Sequence, residues 1–223
     1  MPFRSAVSNA ATTGTQALAV DKPAGLAEGD FLVVFLSASG SGSTFITPSG
    51  WTNLDPQRTN GGLHAAWYWK IATAADATGS GWTFASTEEW TAIKALTVAY
   101  SSIDPTPIDA SAFIAGSTAT GVVSLTGIDA ASGAFVLAAC AINAGPADTI
   151  DTGTPPSGFT HRISILQDTN ADSALFDDGP VAGGATGDAD VTTEGSTHNF
   201  VGGVISILPA AGGTGSPYYY MVM

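Results

Sequence analysis

Short apolar runs separated by clusters of Gly, Ser, Pro and Asn form the hydrophobic pattern of this chain. Phe31–Leu36 is a continuous apolar run, which predicts a strand that is covered on both faces. Leu63–Ile71 alternates instead, so its odd-numbered and even-numbered side chains lie on opposite faces of a strand. About six short strands in the first half, with turn clusters between them, predict an antiparallel β-sandwich.

The second half of the chain repeats short turn and strand motifs of the first half. Four matches occur in the same order: Gly29–Val34 with Gly133–Ala138, Pro48–Thr52 with Pro156–Thr160, Ala77–Gly79 with Ala185–Gly187, and Ala92–Tyr100 with Val201–Leu208. The offset is 104 residues for the first match and 108 for the next two. This pattern predicts an all-β protein made of two pseudo-repeated halves of about six strands each. The halves form either two small sandwiches side by side or one larger sandwich.

The boundaries follow from this repeat. Residues 1–104 form the first half, and residues 105–210 form the second half, packed on the first. The joint around Pro105 and Pro107 is short, which favours tight packing of the halves over a loose tether. Residues 211–223 are a Gly-rich hinge followed by an aromatic tail.

Charge and composition exclude several classes of partner. The chain has 19 acidic and 6 basic residues, a formal net charge of −13, and its basic residues form no cluster. Phosphate neutralisation therefore cannot attach it to nucleic acid, and an anionic membrane surface is disfavoured. The longest apolar run, Ala134–Ile142, is too short to span a bilayer. The N-terminus shows no signal peptide, so we expect synthesis in the cytoplasm. Cys140, the one cysteine, is expected to be buried.

The sequence offers little chemistry of its own. It lacks the nucleophile-elbow, dinucleotide-binding, P-loop and zinc-protease motifs, so we expect no enzymatic activity and no cofactor. Glu88 and Glu89 are adjacent in a strand and face opposite ways, which makes them a poor acid–base pair. His64 and His161 have no metal-ligand spacing and are expected in solvent. An acidic segment admits calcium but is better explained as a solvated loop; it contains Asp172, Asp177, Asp178, Asp188 and Asp190.

All five tryptophans lie in the first half of the chain. Trp67 and Trp69 share a face with Leu63 and Ile71 and are expected in the core. Trp51 and Trp90 are open to another use, because exposed indole rings can form a platform for a sugar. They are the candidate glycan contacts.

The C-terminal tail is a candidate docking element. Its six residues are Tyr218, Tyr219, Tyr220, Met221, Val222 and Met223. Tyrosines on both faces of an extended strand need a partner on each face, which suggests strand addition to the sheet edge of a neighbouring chain. The alternative is that the tail folds back on its own domain.

Several strings resemble a family of tailed-phage virion structural proteins. They are Val20–Val34, Ile46–Thr52, Ala66–Ala75, Val98–Asp109 and Pro155–Thr160. The resemblance extends over residues ~15 to 210, and its motifs are turns and strands, not a catalytic signature. It implies a jelly-roll-like antiparallel β-sandwich, as in capsid decoration, fibre and tail-tip proteins.

The same resemblance implies a function and partners. A compact chain with no appended domain favours a capsid decoration or cement protein on the virion surface. Its partners would be other virion proteins and copies of itself, as a homotrimer. The alternative is a receptor-binding tail-tip or fibre module that contacts host glycans. The position of the copies on the particle distinguishes the two.

Overall fold

The computed structural model describes residues 3–40, 42–143, 149–166, 171–195 and 197–210. In this part of the chain nearly every element is a strand. The elements are β1 (Phe3–Asp21), β2 (Phe31–Ser39), β3 (Phe45–Ile46), β4 (Thr52–Asn60), β5 (Leu63–Ile71), α1 (Ala74–Thr78), β6 (Gly81–Tyr100), β7 (Ile103–Thr118), β8 (Val122–Leu125), β9 (Asp129–Ala130), β10 (Phe135–Ile142), β11 (Thr160–Ile165), β12 (Asp172–Asp178), β13 (Gly184–Ala185), β14 (Ala189–Thr192) and β15 (His198–Pro209). The prediction of an all-β protein is confirmed.

Two large antiparallel sheets make up the body of the protein. The first has the order β1-β6-β2-β5-β4, with β3 paired to β6, and the second has the order β7-β15-β10-β12-β11. Within each large sheet, taken in chain order, the first strand pairs with the last strand (β1 with β6, β7 with β15), and the last strand pairs with the second (β6 with β2, β15 with β10). Two small sheets, β8-β14 and β9-β13, accompany the second large sheet. The two large sheets therefore share one strand order.

The first sequence match marks the same turn in both halves. Gly29 and Gly133 lie just before β2 and β10 and have φ of 85° and 83°, a conformation that favours glycine. The backbone N–H of Gly29 donates to Ala72 O at 2.8 Å, and that of Gly133 donates to Val181 O at 2.9 Å. The two turns thus hold equivalent strands in the same way.

The second match also marks one turn in both halves. Gly50 and Gly158 have φ of 79° and 86°, and both precede an aromatic residue. Trp51 and Phe159 each donate the backbone N–H to the carbonyl three residues earlier, at 3.1 and 2.9 Å. A Pro-Ser-Gly sequence supplies the fixed φ and the positive φ that such a turn requires.

The third match does not hold in the structure. Ala77–Gly79 lies at the end of helix α1, whereas Ala185–Gly187 begins with the last residue of strand β13. The halves also differ in continuity: β1 and β6 are unbroken, while the second half divides the corresponding path into β7 with β8 and β14 with β15. The shared pattern therefore covers the large sheet more fully than the strands outside it.

Apolar side chains fill three layers. The central layer lies between the two large sheets and holds Phe31, Val33 and Phe35 of the first with Leu137 and Ala139 of the second. An outer layer on each large sheet is a separate apolar cluster. Every residue of β2 is buried, as the continuous apolar run predicted. Strand β1 packs against β11, and β4 packs against β7, so the sheets lie face to face along their full width.

Candidate functional site

One polar cluster joins the two sheets across the central layer. The hydroxyl of Tyr100 in β6 donates to Asp177 Oδ2 at 2.7 Å, and Arg162 Nε in β11 donates to Asp177 Oδ1 at 2.6 Å. Asp177 lies in β12 and is buried. The carboxylate thus receives one donor from each sheet, and these directional bonds favour a single register between the halves. We call this set the inter-sheet triad.

Aromatic contacts surround the triad. Arg162 lies over the ring of Phe3, with Cζ 4.4 Å from the ring centroid, and Phe3 contacts Tyr100 edge to face at 5.8 Å. Burial, and then the adjacent Asp177 carboxylate, raise the pKa of Tyr100 well above its ordinary value. The phenol therefore stays protonated and remains a donor. This arrangement holds the sheets together and offers no nucleophile.

Further polar contacts cross between the halves. Ser37 Oγ and Ser173 Oγ are 2.7 Å apart in the buried centre of the face. Lys94, which is also buried, donates to the carbonyl of Ala171. At one end of the sheets, Asn60, the last residue of β4, donates to Gly116 O. The face between the halves is therefore specified by hydrogen bonds as well as by apolar packing.

Every basic side chain of the protein contacts an acceptor within the same chain. Beyond Arg162 and Lys94, these contacts are Arg4–Asp30 at 2.5 Å, Arg58–Asp55 at 2.5 Å, Lys70–Asp76 at 2.8 Å, and Lys22 with the carbonyl of Ala77. Because 19 acidic residues face only 6 basic ones, the remaining carboxylates give the exterior a negative charge. A partner must therefore match this surface with neutral, apolar or basic groups.

A tryptophan-centred cluster closes the outer layer of the first half. Trp51 and Trp82 meet edge to face at 5.2 Å, and Lys70 Nζ lies 5.6 Å from the Trp51 ring centroid. Trp82 Nε1 donates to Asp76 Oδ1 at 2.7 Å. Burial alone would raise the pKa of Asp76, but Lys70 and donors from Thr73 and Trp82 hold it well below its usual range. Asp76 is therefore the charged centre of this cluster.

The outer face of the second half carries an open cleft of about 290 Å³. Its walls are Val136, Ser157, Phe159, Asp178, Val181 and the segment 182–186. Phe159 and Val181 are partly buried, and residues 182–185 are exposed. The cleft combines an aromatic wall with one carboxylate. It can accept a small group that has an apolar ring and a hydrogen-bond donor.

The structure contradicts the prediction that Trp51 and Trp90 contact a glycan. Trp51 is 6% exposed and Trp90 is 1% exposed. Trp51 packs on Trp82, and Trp90 packs on Phe45 at 5.1 Å. Neither ring presents the open face that stacking on a sugar requires, because Trp82 and Phe84 pack on Trp51, and Phe45 and His64 pack on Trp90.

The other tryptophans and the tail have different outcomes. Trp67 is buried in the central layer, and Trp69 is packed against it, as predicted. The docking prediction for Tyr218, Tyr219, Tyr220, Met221, Val222 and Met223 falls on residues 211–223, which lie outside the described residues.

The histidines are not in the solvated positions predicted for them. His64 is 4% exposed; its Nδ1 lies 2.9 Å from Gln57 Nε2, and its ring contacts Trp90 at 4.7 Å. His161 is partly buried and packs on Phe176. His64 lies on the strand face that looked polar, and His161 follows a turn, but Trp90 and Phe176 pack against their rings. Burial lowers the pKa of both imidazoles.

The pKa of His64 makes stability depend on pH. Its neighbours are neutral, namely Gln57, Thr59, Trp90 and the carbonyl of Gly40. The folded pKa is below the unfolded value near 6.5, so the unfolded chain binds more protons between the two values. Stability should fall as pH drops from about 7.5 to about 5.5, by at most about 1.4 kcal/mol per pH unit for this group. Thermal unfolding of wild-type and His64→Gln chains measures this; an equally steep pH dependence in both would contradict it.

The acidic segment is dispersed in the structure. Asp172 and Asp177 are buried in β12, so the interpretation as a solvated loop is wrong for these two. Asp188 accepts the N–H of Gly127 at 2.9 Å, and Asp190 accepts the hydroxyl of Ser124. Among the described residues, no group of three or more His, Cys, Asp or Glu side chains is placed to hold a metal ion.

Cys140 is fully buried in β10, as expected. Burial raises the pKa of its thiol to about 12. The thiol therefore stays protonated and packs as a small apolar group.

Comparisons with known proteins give no relative for this chain. No family model matches it, and no curated protein or solved structure is significantly similar to it. Within the described ranges, the structure contains no helix that is long and apolar enough to cross a membrane.

Proposed function

We propose that this chain is a non-enzymatic structural protein of a tailed-phage virion, and specifically a capsid decoration or cement protein on the particle surface. Its partners are other virion proteins and copies of itself, assembled as a homotrimer. The resemblance to phage structural proteins over residues ~15 to 210 is the origin of this proposal.

The proposal includes an internal duplication, in which two pseudo-repeated halves build a jelly-roll-like antiparallel β-sandwich. The shared strand order of the two large sheets supports it. The paired turns at Gly29 and Gly133, and at Gly50 and Gly158, support it further because they lie at the strings that match in sequence. Such a duplication is compatible with a structural role, in which a protein acts through its surface and not through a catalytic site.

The observation that carries the proposal is the use of every basic side chain inside the body. Ion pairs and carbonyl contacts bind the six Lys and Arg residues within the chain, which leaves an acidic exterior over a three-layered core. Such a surface suits a passive particle-covering protein. Its contacts should be neutral or apolar patches, because copies with a net charge of −13 repel one another.

A second candidate is a receptor-binding tail-tip or fibre module. The open cleft beside Phe159 and Asp178 favours it, since it is a concave site that could receive part of a host molecule. The predicted glycan contacts at Trp51 and Trp90 no longer support it, because both rings are buried.

Antibody labelling of purified phage particles from the source of this sequence tests the proposal. An antibody raised against the folded chain should decorate the whole capsid shell in electron micrographs. Label confined to the tail tip would favour the receptor-binding candidate. Particles that bind no antibody, although the protein is made in infected cells, would contradict a virion role.

Salt provides a further test on the same particles. Exposed charges are screened over ~8–10 Å at physiological ionic strength, so apolar attachment should change little between about 0.15 and about 1 M NaCl. The measurement is the amount of protein that remains with sedimented particles. Release by salt alone would show that ion pairs hold the protein on the shell.

A further inference from the structure

We infer that the cleft of the second half is a docking site for a tyrosine side chain from the chain's own C-terminal tail. The cleft is defined by Phe159, Asp178, Val181 and the segment 182–186. The inference rests on a comparison of the two halves and does not depend on a virion role.

Strand register shows which residues of the two halves correspond. Val20 pairs with Trp82 in the first half, and Leu125 pairs with Ala189 in the second. Val20 and Leu125 are both buried in the outer layer of their half, so Trp82 and Ala189 occupy corresponding positions. The large aromatic residue of the first half is thus replaced by a methyl group in the second.

The floor of the site corresponds as well. Leu32 pairs with Lys70, and Val136 pairs with Asp178, at the start of corresponding strands. Lys70 and Asp178 therefore occupy equivalent positions and differ in charge. The ring in the adjacent turn is Trp51 in one half and Phe159 in the other.

The first half fills the space above this floor with its own side chains. Trp82 meets Trp51 edge to face at 5.2 Å and donates an N–H to Asp76 of helix α1. The second half has no counterpart of α1 within the described residues, and the segment 182–186, exposed over 182–185, lies there instead. Ala189 is buried and does not line the cleft. The cleft of about 290 Å³ is instead placed by Phe159, the counterpart of Trp51, and an aromatic ring with a hydrogen-bond donor beside Phe159 would complete the outer layer.

Tyrosine has the chemistry that this space requires. Its ring can pack edge to face on Phe159, as Trp82 packs on Trp51. Its hydroxyl can donate to the carboxylate of Asp178, as the indole N–H donates to Asp76. A charge-assisted bond of this kind is stronger than one between neutral groups. Tyr218, Tyr219 and Tyr220 are candidates by type.

The described chain ends within reach of the cleft. The backbone N–H of Ala210 donates to Ser102 O at 2.9 Å, which fixes the point from which residues 211–223 continue. Ile207 pairs with Phe135, next to Val136 in the cleft wall. From β15 to β12 is two strand spacings, about 10 Å. Residues 211–217 can span about 23 Å when extended. A tail in the same chain also competes at a high effective concentration against any neighbour.

Limited chymotrypsin digestion of the full-length chain tests this assignment. Chymotrypsin cleaves after exposed tyrosines, and cleavage follows the population of the undocked tail when docking is fast. Phe159→Ala and Asp178→Asn remove the two contacts separately. Each should raise the rate of cleavage in the tail by about tenfold or more relative to wild type. Glu88→Gln, which removes an exposed carboxylate in the first half, is the control and should leave the rate unchanged.

A second measurement does not require changes in the cleft. A full-length chain with Tyr218→Ser, Tyr219→Ser and Tyr220→Ser should exchange the amide hydrogens of residues 182–186 several-fold faster than wild type. Equal exchange in both chains, or equal cleavage in all cleft variants, would overturn the inference. Protection that disappears on dilution would show that the tail of a second copy occupies the cleft, and would overturn the assignment to the chain's own tail.

Discussion

Replacing Phe31 by alanine should lower the free energy of unfolding by about 3–5 kcal/mol. Phe31 is fully buried in the central layer, and its ring centroid lies 5.7 Å from that of Trp69. Sheets packed on both sides limit any collapse around the missing ring, so the cavity remains and its cost adds to the lost transfer free energy. Urea unfolding followed by tryptophan fluorescence measures the loss.

The second half provides a matched control for this change. Phe135 has the corresponding place at the start of β10, where it pairs with Ile207 as Phe31 pairs with Tyr100. It is only partly buried, so Phe135→Ala should cost about 1–2 kcal/mol. Equal losses at the two positions would contradict the expected dependence on burial. An unchanged midpoint for Phe31→Ala would show that Phe31 does not anchor the central layer.

Replacing Asp177 by leucine should be the most damaging change in the inter-sheet triad. It leaves the buried hydroxyl of Tyr100 and the guanidinium of Arg162 without their acceptor. Loss of one partner of a buried polar set costs several kcal/mol. Because the Arg162 side chain is 28% exposed and can turn to water, we expect about 2–4 kcal/mol.

A triple replacement distinguishes the unsatisfied groups from loss of the triad itself. Tyr100→Phe and Arg162→Leu, combined with Asp177→Leu, convert all three positions to apolar residues. Other positions in the central layer are already apolar, among them Leu54, Trp69 and Ile207. The triple variant should therefore recover most of the stability lost in Asp177→Leu. A triple variant as unstable as the single one would mean that the triad contributes net stability.

The strands of the large sheets were predictable from sequence because their patterns are local. The apolar run in β2 and the alternation in β5 follow directly from which faces are covered. The turns at Gly29 and Gly50 were predictable for a related reason. A glycine in the turn just before a strand indicates a backbone position with positive φ, which glycine adopts more readily than other residues.

The sites were less predictable. Alternating polar and apolar residues show which face of a strand a side chain lies on, but not which other element packs against that face. His64 and Trp90 lie on the outer face of the first sheet, which the early part of β6 and strand β3 cover. The inter-sheet triad was missed because Tyr100 and Asp177 are 77 residues apart. The one local signal was a carboxylate directly after the apolar run Ala174–Phe176.

The strand order has a consequence for synthesis on the ribosome. Because β1 pairs with β6, the first sheet cannot close until residue 100 has emerged, roughly 5–20 s after the start at ~5–20 residues per second. The second sheet closes only when β15 has been synthesised. The apolar face of the first sheet therefore stays exposed for a similar time. During this interval a neighbouring nascent chain on the same message offers an equivalent sheet. Slower translation should therefore favour exchange between chains, and dense polysomes should favour it further.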